Sequence, residues 1–395
     1  MSLPTLTEWQ TVEVPDLDID LARYLRTKCS TYVAVSAPDA LAGTGWLLTP
    51  NNWIGSVPLP GGEALRIRPK LPVPALLRLL DLAYGFSKLD FHPDLAACDS
   101  IDDWFDRLVA HLVRRIRVRI RHGLYRAYVP RRERLMHVRG RISIAQLIRR
   151  PHDPSPVCHY QEHTGDIDDN QILAWTMHLA ARCKACSTET RHQSQAIARS
   201  LTQSLSLTPC TASDCRGRSY HRLNQDYEPL HALCRLILDR LSPTWECGQD
   251  RSLPFTLDMA ALFEEAVANW LKQNLDPSRY RVVAQDRFTL GRNTAINYIA
   301  DIVIYDRVTG SALVVLDTKY KLAEVPSNDD VNQALAYGTV LKAPSVALIY
   351  PQALVKPIDV STGLSAIRVR STSFPVALAP DQAGKELLRS LGLNA

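Results

Sequence analysis

Leu313-Val314-Val315-Leu316-Asp317-Thr318-Lys319 is an uninterrupted apolar run that ends in an acid, a hydroxyl and a lysine. Four apolar residues with two β-branched valines, bounded by polar side chains, read as a buried strand. Side chains alternate along a strand, so Asp317 and Lys319, two residues apart, project from one face. Sixteen residues upstream, Asp301 opens a second apolar run, Ile302-Val303-Ile304. Joined as a hairpin, the two strands bring together the ends that carry Asp301 and Asp317.

The flanking sequence extends this pair into a domain. Thr256 is a candidate helix cap, and Phe263, Val267, Trp270 and Leu271 recur at helical spacing as one apolar stripe. Strands are expected at 281–285, 298–304 and 312–317, a helix near 329–341, and a strand from Ser345 to Tyr350. Helix, three strands, helix, strand is an α/β core, assigned to residues 251–395. Residues 1–95 read as β-rich, with strands at Thr31–Val35, Gly45–Leu48 and Leu65–Arg68. Pro50-Asn51-Asn52 and Pro60-Gly61-Gly62 punctuate them. A short helix from Pro74 through Tyr84 follows, with Gly85 as its stop.

Residues 96–250 read as a mainly helical, arginine-rich region. One helix runs from Trp104 toward Gly123, a long one from Asn170 to about His192, and another from Pro229 to Leu241; residues 187–226 read as solvated helix plus loop. The expected class is a multidomain α+β chain. At 395 residues it is too long for one ordinary core.

Composition excludes several functions. No run of 18 apolar residues is present, so no membrane-spanning helix is expected. The first twenty residues carry acids and no long apolar core, unlike a secretory leader. Nine cysteines at irregular spacing then point to reduced thiols in a cytoplasmic protein. There is no G-x-x-x-x-G-K-[ST], so a nucleotide-driven motor would have to be a partner. The net charge of +5 is mild. Its distribution says more, because Ile101–Arg150 holds 14 arginines, no lysine and four acids.

Phosphodiester hydrolysis needs an activated water and neutralisation of charge on the phosphoryl and leaving oxygens. Carboxylates that hold Mg²⁺, or Mn²⁺ in its place, supply both. Asp301 and Asp317 are the candidate ligands, with the Thr318 carbonyl as a further oxygen and Glu264, near the start of the preceding helix, completing the shell. Lys319 can position the attacking water or stabilise the phosphorane. Gln333 and Tyr337, four apart on one helix face, can orient the lysine or touch a phosphate.

Other clusters are less decisive. Arg114, Arg115, Arg117, Arg119 and Arg121 read equally well as a track for a DNA backbone, a surface for an acidic partner, or a solvated face. Cys183-x-x-Cys186 with Cys210, Cys215 and His192 invites a zinc site. The first pair falls within an expected helix and no ribbon glycines follow, so structural thiols are favoured. Cys98, Cys234, His221 and His231 carry no assigned chemistry.

Several stretches together resemble the McrC family, the nuclease subunit of McrBC-type modification-dependent restriction systems. They are Leu65-Arg66-Ile67-Arg68-Pro69-Lys70, Gly123-Leu124-Tyr125-Arg126-Ala127-Tyr128, Val138-Arg139-Gly140-Arg141-Ile142 and Asp168-Asp169-Asn170-Gln171-Ile172-Leu173. Asp258-Met259-Ala260-Ala261-Leu262-Phe263-Glu264, Asp317-Thr318-Lys319-Tyr320-Lys321 and Asp330 through Tyr337 continue the series in the family's order. The resemblance implies a C-terminal PD-(D/E)xK nuclease. It also implies an N-terminal part that docks on, and stimulates, a hexameric McrB-like AAA+ GTPase, which carries the recognition of modified cytosine. Two positions depart from the family's pattern. Ala300 replaces a proline before the first acid, and Asn170-Gln171 stands where Asn-Arg is usual.

The expectation is a Mg²⁺-dependent endonuclease subunit acting on double-stranded DNA with such a partner. Two rivals remain: a non-catalytic activator of an AAA+ ring with a vestigial nuclease fold, and a stand-alone RecB-like nuclease.

Overall fold

A computed structural model describes residues 3–39, 43–60, 64–85, 101–150, 152, 154–183, 185–240, 255–290, 296–321, 323–361 and 367–393. Gly61, Gly62 and Cys98 lie outside the described residues. The chain divides into two compact units. One combines residues up to Val57, Glu63–Ile101 and Thr256–Ala395; the other combines Pro58–Gly62 with Asp102–Phe255.

In the N-terminal segment the order is β1 (Leu6–Thr7), β2 (Val12–Val14), α1 (Ile19–Lys28), β3 (Val33–Ser36), β4 (Trp46–Pro50), β5 (Trp53–Pro58), β6 (Ala64–Arg68) and α2 (Val73–Tyr84). Strands β2, β4 and β3 form one antiparallel sheet. The end of α2 follows its chemistry: Gly85 adopts the left-handed φ of 73° and its N–H donates to Asp81 O.

The second unit contains α3 (Ile101–His122), β7 (Ala127–Arg134), β8 (Arg141–Ile142), α4 (Ile144–Arg149), β9 (Val157–Thr164), α5 (Asp168–Ala180), α6 (Thr188–Thr202) and α7 (Tyr227–Arg240). Two findings differ from expectation. A three-stranded antiparallel sheet, β7-β9-β8, interrupts the helical region. Its arginine-rich strands lack the apolar alternation that announces a half-buried strand. The long helix expected from Asn170 to His192 is two helices. Ser187 breaks it by accepting a hydrogen bond from Thr190 N–H as the cap of α6. Cys183 and Cys186 therefore sit between helices rather than within one, as buried thiols outside any disulfide.

The remainder of the first unit is β10 (Phe255–Asp258), α8 (Met259–Asn274), β11 (Tyr280–Leu290), β12 (Ile296–Asp306), β13 (Ala312–Thr318), α9 (Asn328–Leu341), β14 (Ser345–Tyr350), β15 (Asp359–Ser361), β16 (Arg368–Ser373) and α10 (Pro380–Leu391). Six strands form one sheet in the order β11-β12-β13-β14-β16-β15. The first three are antiparallel, β13, β14 and β16 run parallel, and β15 is antiparallel to β16. Ile302, Val303, Ile304, Val315 and Leu316 are at most 1% exposed. Burial of each such side chain contributes about 1.5–3 kcal/mol. On one face, Ala334 and Tyr337 of α9 pack with Val303, Val315, Val346 and Leu348. Gly338 lets α9 lie close, because a Cβ there would stand 2.5 Å from Val346 Cγ1.

Helix α8 begins at Asp258, whose carboxylate accepts from Ala260 N–H and Ala261 N–H. Thr256, the expected cap, lies instead in β10. That strand joins β1, β6 and β5 in a sheet of N-terminal strands. Met259 N–H donates to Asn52 O at 2.9 Å. Asn269 Nδ2 donates to Ala83 O at the end of α2, and Arg78 donates to Val376 O and Ala377 O. The N-terminal segment and the six-stranded sheet thus share one folded unit.

Candidate active site

The register of β12 and β13 pairs Ile302 with Leu316 and Val303 with Val315. One further step along the same register sets Asp301 opposite Asp317. Directly opposed residues of an antiparallel pair project to the same face. On the other side of β12, Ala284 pairs with Ile302 and Asp286 with Ala300. Gln285 is therefore the residue opposite Asp301. Its backbone is left-handed, with φ of 53°, a conformation that bulky L residues seldom adopt and that concentrates at functional sites.

Asp301 braces the end of β13. Its Oδ2 accepts from Thr318 N–H and from Thr318 Oγ1, both at 2.8 Å. Lys319 N–H continues the ladder to β14 by donating to Ile349 O at 2.8 Å. The Asp317-Thr318-Lys319 segment is thereby fixed on both sides.

Asp317 is 1% exposed. Its Oδ2 lies 2.7 Å from Lys319 Nζ. Burial raises its pKa to about 6; Lys319 opposes that shift and the nearby charge of Asp301 adds to it. Glu264, on the second turn of α8, is pushed up to about 7 by burial and then by Asp301, while a hydrogen bond from Gln285 works against the rise. For Lys319, burial favours the neutral amine, but Asp317, Asp330 and Asp301 more than offset it and hold the ammonium above its ordinary range.

The structure also gathers Gln333 and Tyr337 here. Lys319 Nζ donates to Gln333 Oε1 at 3.0 Å, and Gln333 Nε2 donates to Tyr337 OH at 2.7 Å. The Gln333 amide is oriented by one neighbour at each end. Behind Lys319, Asp330 pairs with Lys321 and lies 3.9 Å from Lys319 Nζ. Tyr320 points the other way, into the N-terminal segment, where its hydroxyl donates to buried Glu8 at 2.9 Å.

Sequence reasoning missed Gln285, Asp330 and Glu8. Nothing in a glutamine signals a left-handed backbone, and Glu8 meets Tyr320 from 312 positions away. Asp330 carried a signal, since it is the third residue of the α9 capping box with Ser327. The arginines divide by exposure on α3. Arg114, Arg117 and Arg121 are exposed, whereas Arg115 and Arg119 are half-buried. Arg119 pairs with Asp226 at 3.2 Å and stacks over Tyr227, so it serves its own unit.

Among the described residues, no three His, Cys, Asp or Glu side chains draw together as a ready metal cage. The chemistry of the donor set nonetheless suits a hard divalent cation. Such an ion takes one or two carboxylates and keeps several waters. Asp301 raises the pKa of both Asp317 and Glu264, which means that three carboxylates sense one another's charge around one lysine. Among the described residues, no helix is long and apolar enough to cross a membrane.

Comparison with solved structures relates this fold to a chain of the tetradecameric assembly of Thermococcus gammatolerans McrB AAA+ hexamers with bound McrC. The TM-score is 0.54 at 16% identity, over 98% of this chain and 99% of that one. At that identity the likeness is one of fold. A chain of the cryo-EM structure of the Thermococcus gammatolerans McrBC complex is similar at a TM-score of 0.41 and 18% identity, over 70% of this chain and 88% of that one. No curated protein matches. The family described as McrBC 5-methylcytosine restriction system component matches residues 48–351. That span is well over half of the sequence, and the chain belongs to this family, the one its motifs resemble through McrC.

Proposed function

We propose that this chain is the Mg²⁺-dependent DNA endonuclease subunit of a McrBC-like restriction system, with a PD-(D/E)xK core formed by α8, β11–β14 and α9. The observation that carries the reading is the β12–β13 register, in which Asp301 and Asp317 each stand next to the paired Ile302 and Leu316, with Lys319 Nζ 2.7 Å from Asp317. Double-stranded DNA is the substrate. The partner is a hexameric AAA+ GTPase, as the resemblance to McrC implies, and docking of this chain stimulates its hydrolysis; the similar assembly holds McrC on McrB AAA+ hexamers.

Asp301, Asp317 and Glu264 would hold the cation, with the Thr318 carbonyl as a further oxygen. When bound, Mg²⁺ supplies charge neutralisation and a more acidic water. Asp301 has a second task through Thr318, whose N–H and hydroxyl it anchors. An ammonium has three N–H donors. Two on Lys319 meet Asp317 Oδ2 and Gln333 Oε1, and the third is left to face a phosphoryl oxygen or the attacking water. Tyr337 holds Gln333 so that its carbonyl, not its amide nitrogen, meets the lysine. A donor preset where charge develops contributes most in a site that excludes bulk water.

The test is cleavage by the complex reconstituted with the AAA+ partner. Asp317→Ala and Lys319→Ala are expected to abolish cutting while partner binding and stimulated GTP hydrolysis persist. Retained cleavage in either variant refutes the assignment. Stimulation of the GTPase without cutting by the parent chain would select the activator reading instead.

A further inference from the structure

Beside Lys319 lies a cavity of about 750 Å³, in the size range of sites for nucleotide-sized ligands. Thr318, Lys319 and Lys321 form one wall, and Glu8, Trp9 and Lys70 form the other. The second wall comes from the N-terminal segment of the same folded unit. Glu8 accepts from Lys70 N–H at 2.7 Å and from the Tyr320 hydroxyl, and Lys70 Nζ stands 4.2 Å above the Tyr320 ring. These contacts tie the wall to the residue next to Lys319.

Trp9 is the anomaly in this wall. Its φ is 62°, in the left-handed region, and the residue is 50% exposed. The turn that imposes this conformation is well held. Trp9 N–H donates to Pro50 O at 3.0 Å, Gln10 N–H to Thr7 O at 3.1 Å, and Glu8 N–H to Arg68 O at 3.0 Å. A large aromatic ring in a disfavoured backbone conformation is ordinarily rewarded by burial. Here half of it faces solvent at the mouth of a cavity shared with Thr318 and Lys319. Strain that packing does not reward marks a place kept for a ligand. Lys70, Lys319 and Lys321 line the cavity with Glu8; Lys319 pairs with Asp317 and Lys321 with Asp330. Cations flanking an exposed indole suit an aromatic base joined to anionic phosphates.

We propose that this cavity receives a nucleotide of the DNA strand next to the phosphate being cut, with the Trp9 indole stacked on its base and the Lys70 and Lys321 ammonium groups facing the flanking phosphates. The proposal rests on the nuclease reading above and adds the N-terminal wall to the DNA site. Stacking of this kind tolerates any base, which suits a cutting subunit whose partner selects the target. A base leaves its stack to meet an indole, so the contribution of Trp9 is larger on single strands than on duplex.

The test uses the full chain carrying Asp317→Asn, so that DNA is bound and not cut, with affinity read by anisotropy of short end-labelled single strands and duplexes at low salt. Adding Trp9→Ala is expected to weaken single-strand binding about tenfold, and Trp9→Phe to retain most of it. Trp9→Gly removes the ring and the strain together; it is expected to lose affinity as the alanine variant does, with a melting temperature no lower than the parent's. A ring that only supported the fold would lower that temperature instead. Unchanged affinity in Trp9→Ala, no DNA binding by the parent, or loss of partner binding with DNA affinity intact overturns the proposal. The underlying reading is tested separately. If Asp317→Ala abolishes cutting while Trp9→Ala binds DNA as the parent does, this inference alone falls; if Asp317→Ala still cuts, both fall.

Discussion

Asp317 is the most informative residue to perturb, because the fold and the proposed chemistry make opposite demands on it. It is 1% exposed, and its pKa rises from 3.8 to about 6. That rise already includes the favourable pull of Lys319. At about 1.36 kcal/mol per unit, the ionised carboxylate costs the metal-free fold about 3 kcal/mol. Between the two pKa values the folded state binds a proton that the unfolded state does not. Stability therefore falls as pH rises from about 4 to about 6, and the cost is fully present above that window. Asp317→Asn keeps the shape and removes the charge. In EDTA at pH 7.5 it is expected to raise stability by up to about 3 kcal/mol, or several degrees in melting temperature. At pH 4 the variant and parent are expected to converge. Added Mg²⁺ stabilises only a protein that binds it, so it is expected to raise the melting temperature of the parent and leave Asp317→Asn unmoved. Thermal and urea denaturation across this pH range would check all three outcomes. A less stable Asp317→Asn at pH 7.5, or a difference that persists unchanged at pH 4, would refute the reasoning.

Further substitutions separate the architecture from the chemistry. Gln285→Gly relieves a left-handed backbone and is expected to stabilise the fold by about 1 kcal/mol; it also deprives Glu264 of its donor, so cutting by the reconstituted complex should fall as the melting temperature rises. Gln333→Leu leaves Lys319 without its carbonyl partner and Tyr337 without its donor; cleavage is expected to drop about a hundredfold, with circular dichroism and partner binding unchanged. In the other unit, buried Asn170 donates to Tyr125 O and Gly165 O and accepts from Tyr227 OH. Asn170→Ala strands these groups and is expected to destabilise by about 3 kcal/mol in urea titration.

What was legible in the sequence follows from where the determining physics is local. The strands near 298–304 and 312–317 announce themselves because the Ile302–Ile304 and Val314–Leu316 stretches are buried, leaving continuous apolar runs. The end of α2 was readable because Gly85 admits a φ that other residues resist. Sheet β7-β9-β8 was not readable: Arg131, Arg132 and Arg134 give no apolar alternation, and the strand is held by backbone pairing with residues about thirty positions away. The same limit governs the site. Asp317 and Lys319 share a face by simple alternation, so their meeting could be argued from two letters and a period of two. Gln285 and Trp9 depend on backbone angles that their side chains disfavour, and only a tertiary frame can impose such angles. That asymmetry makes them the more informative residues. A residue that follows local rules needs no function to explain it. One held against those rules at the edge of a lysine-lined cavity does, and for Trp9, whose cavity is shared with Thr318 and Lys319, the proposed explanation is a DNA strand.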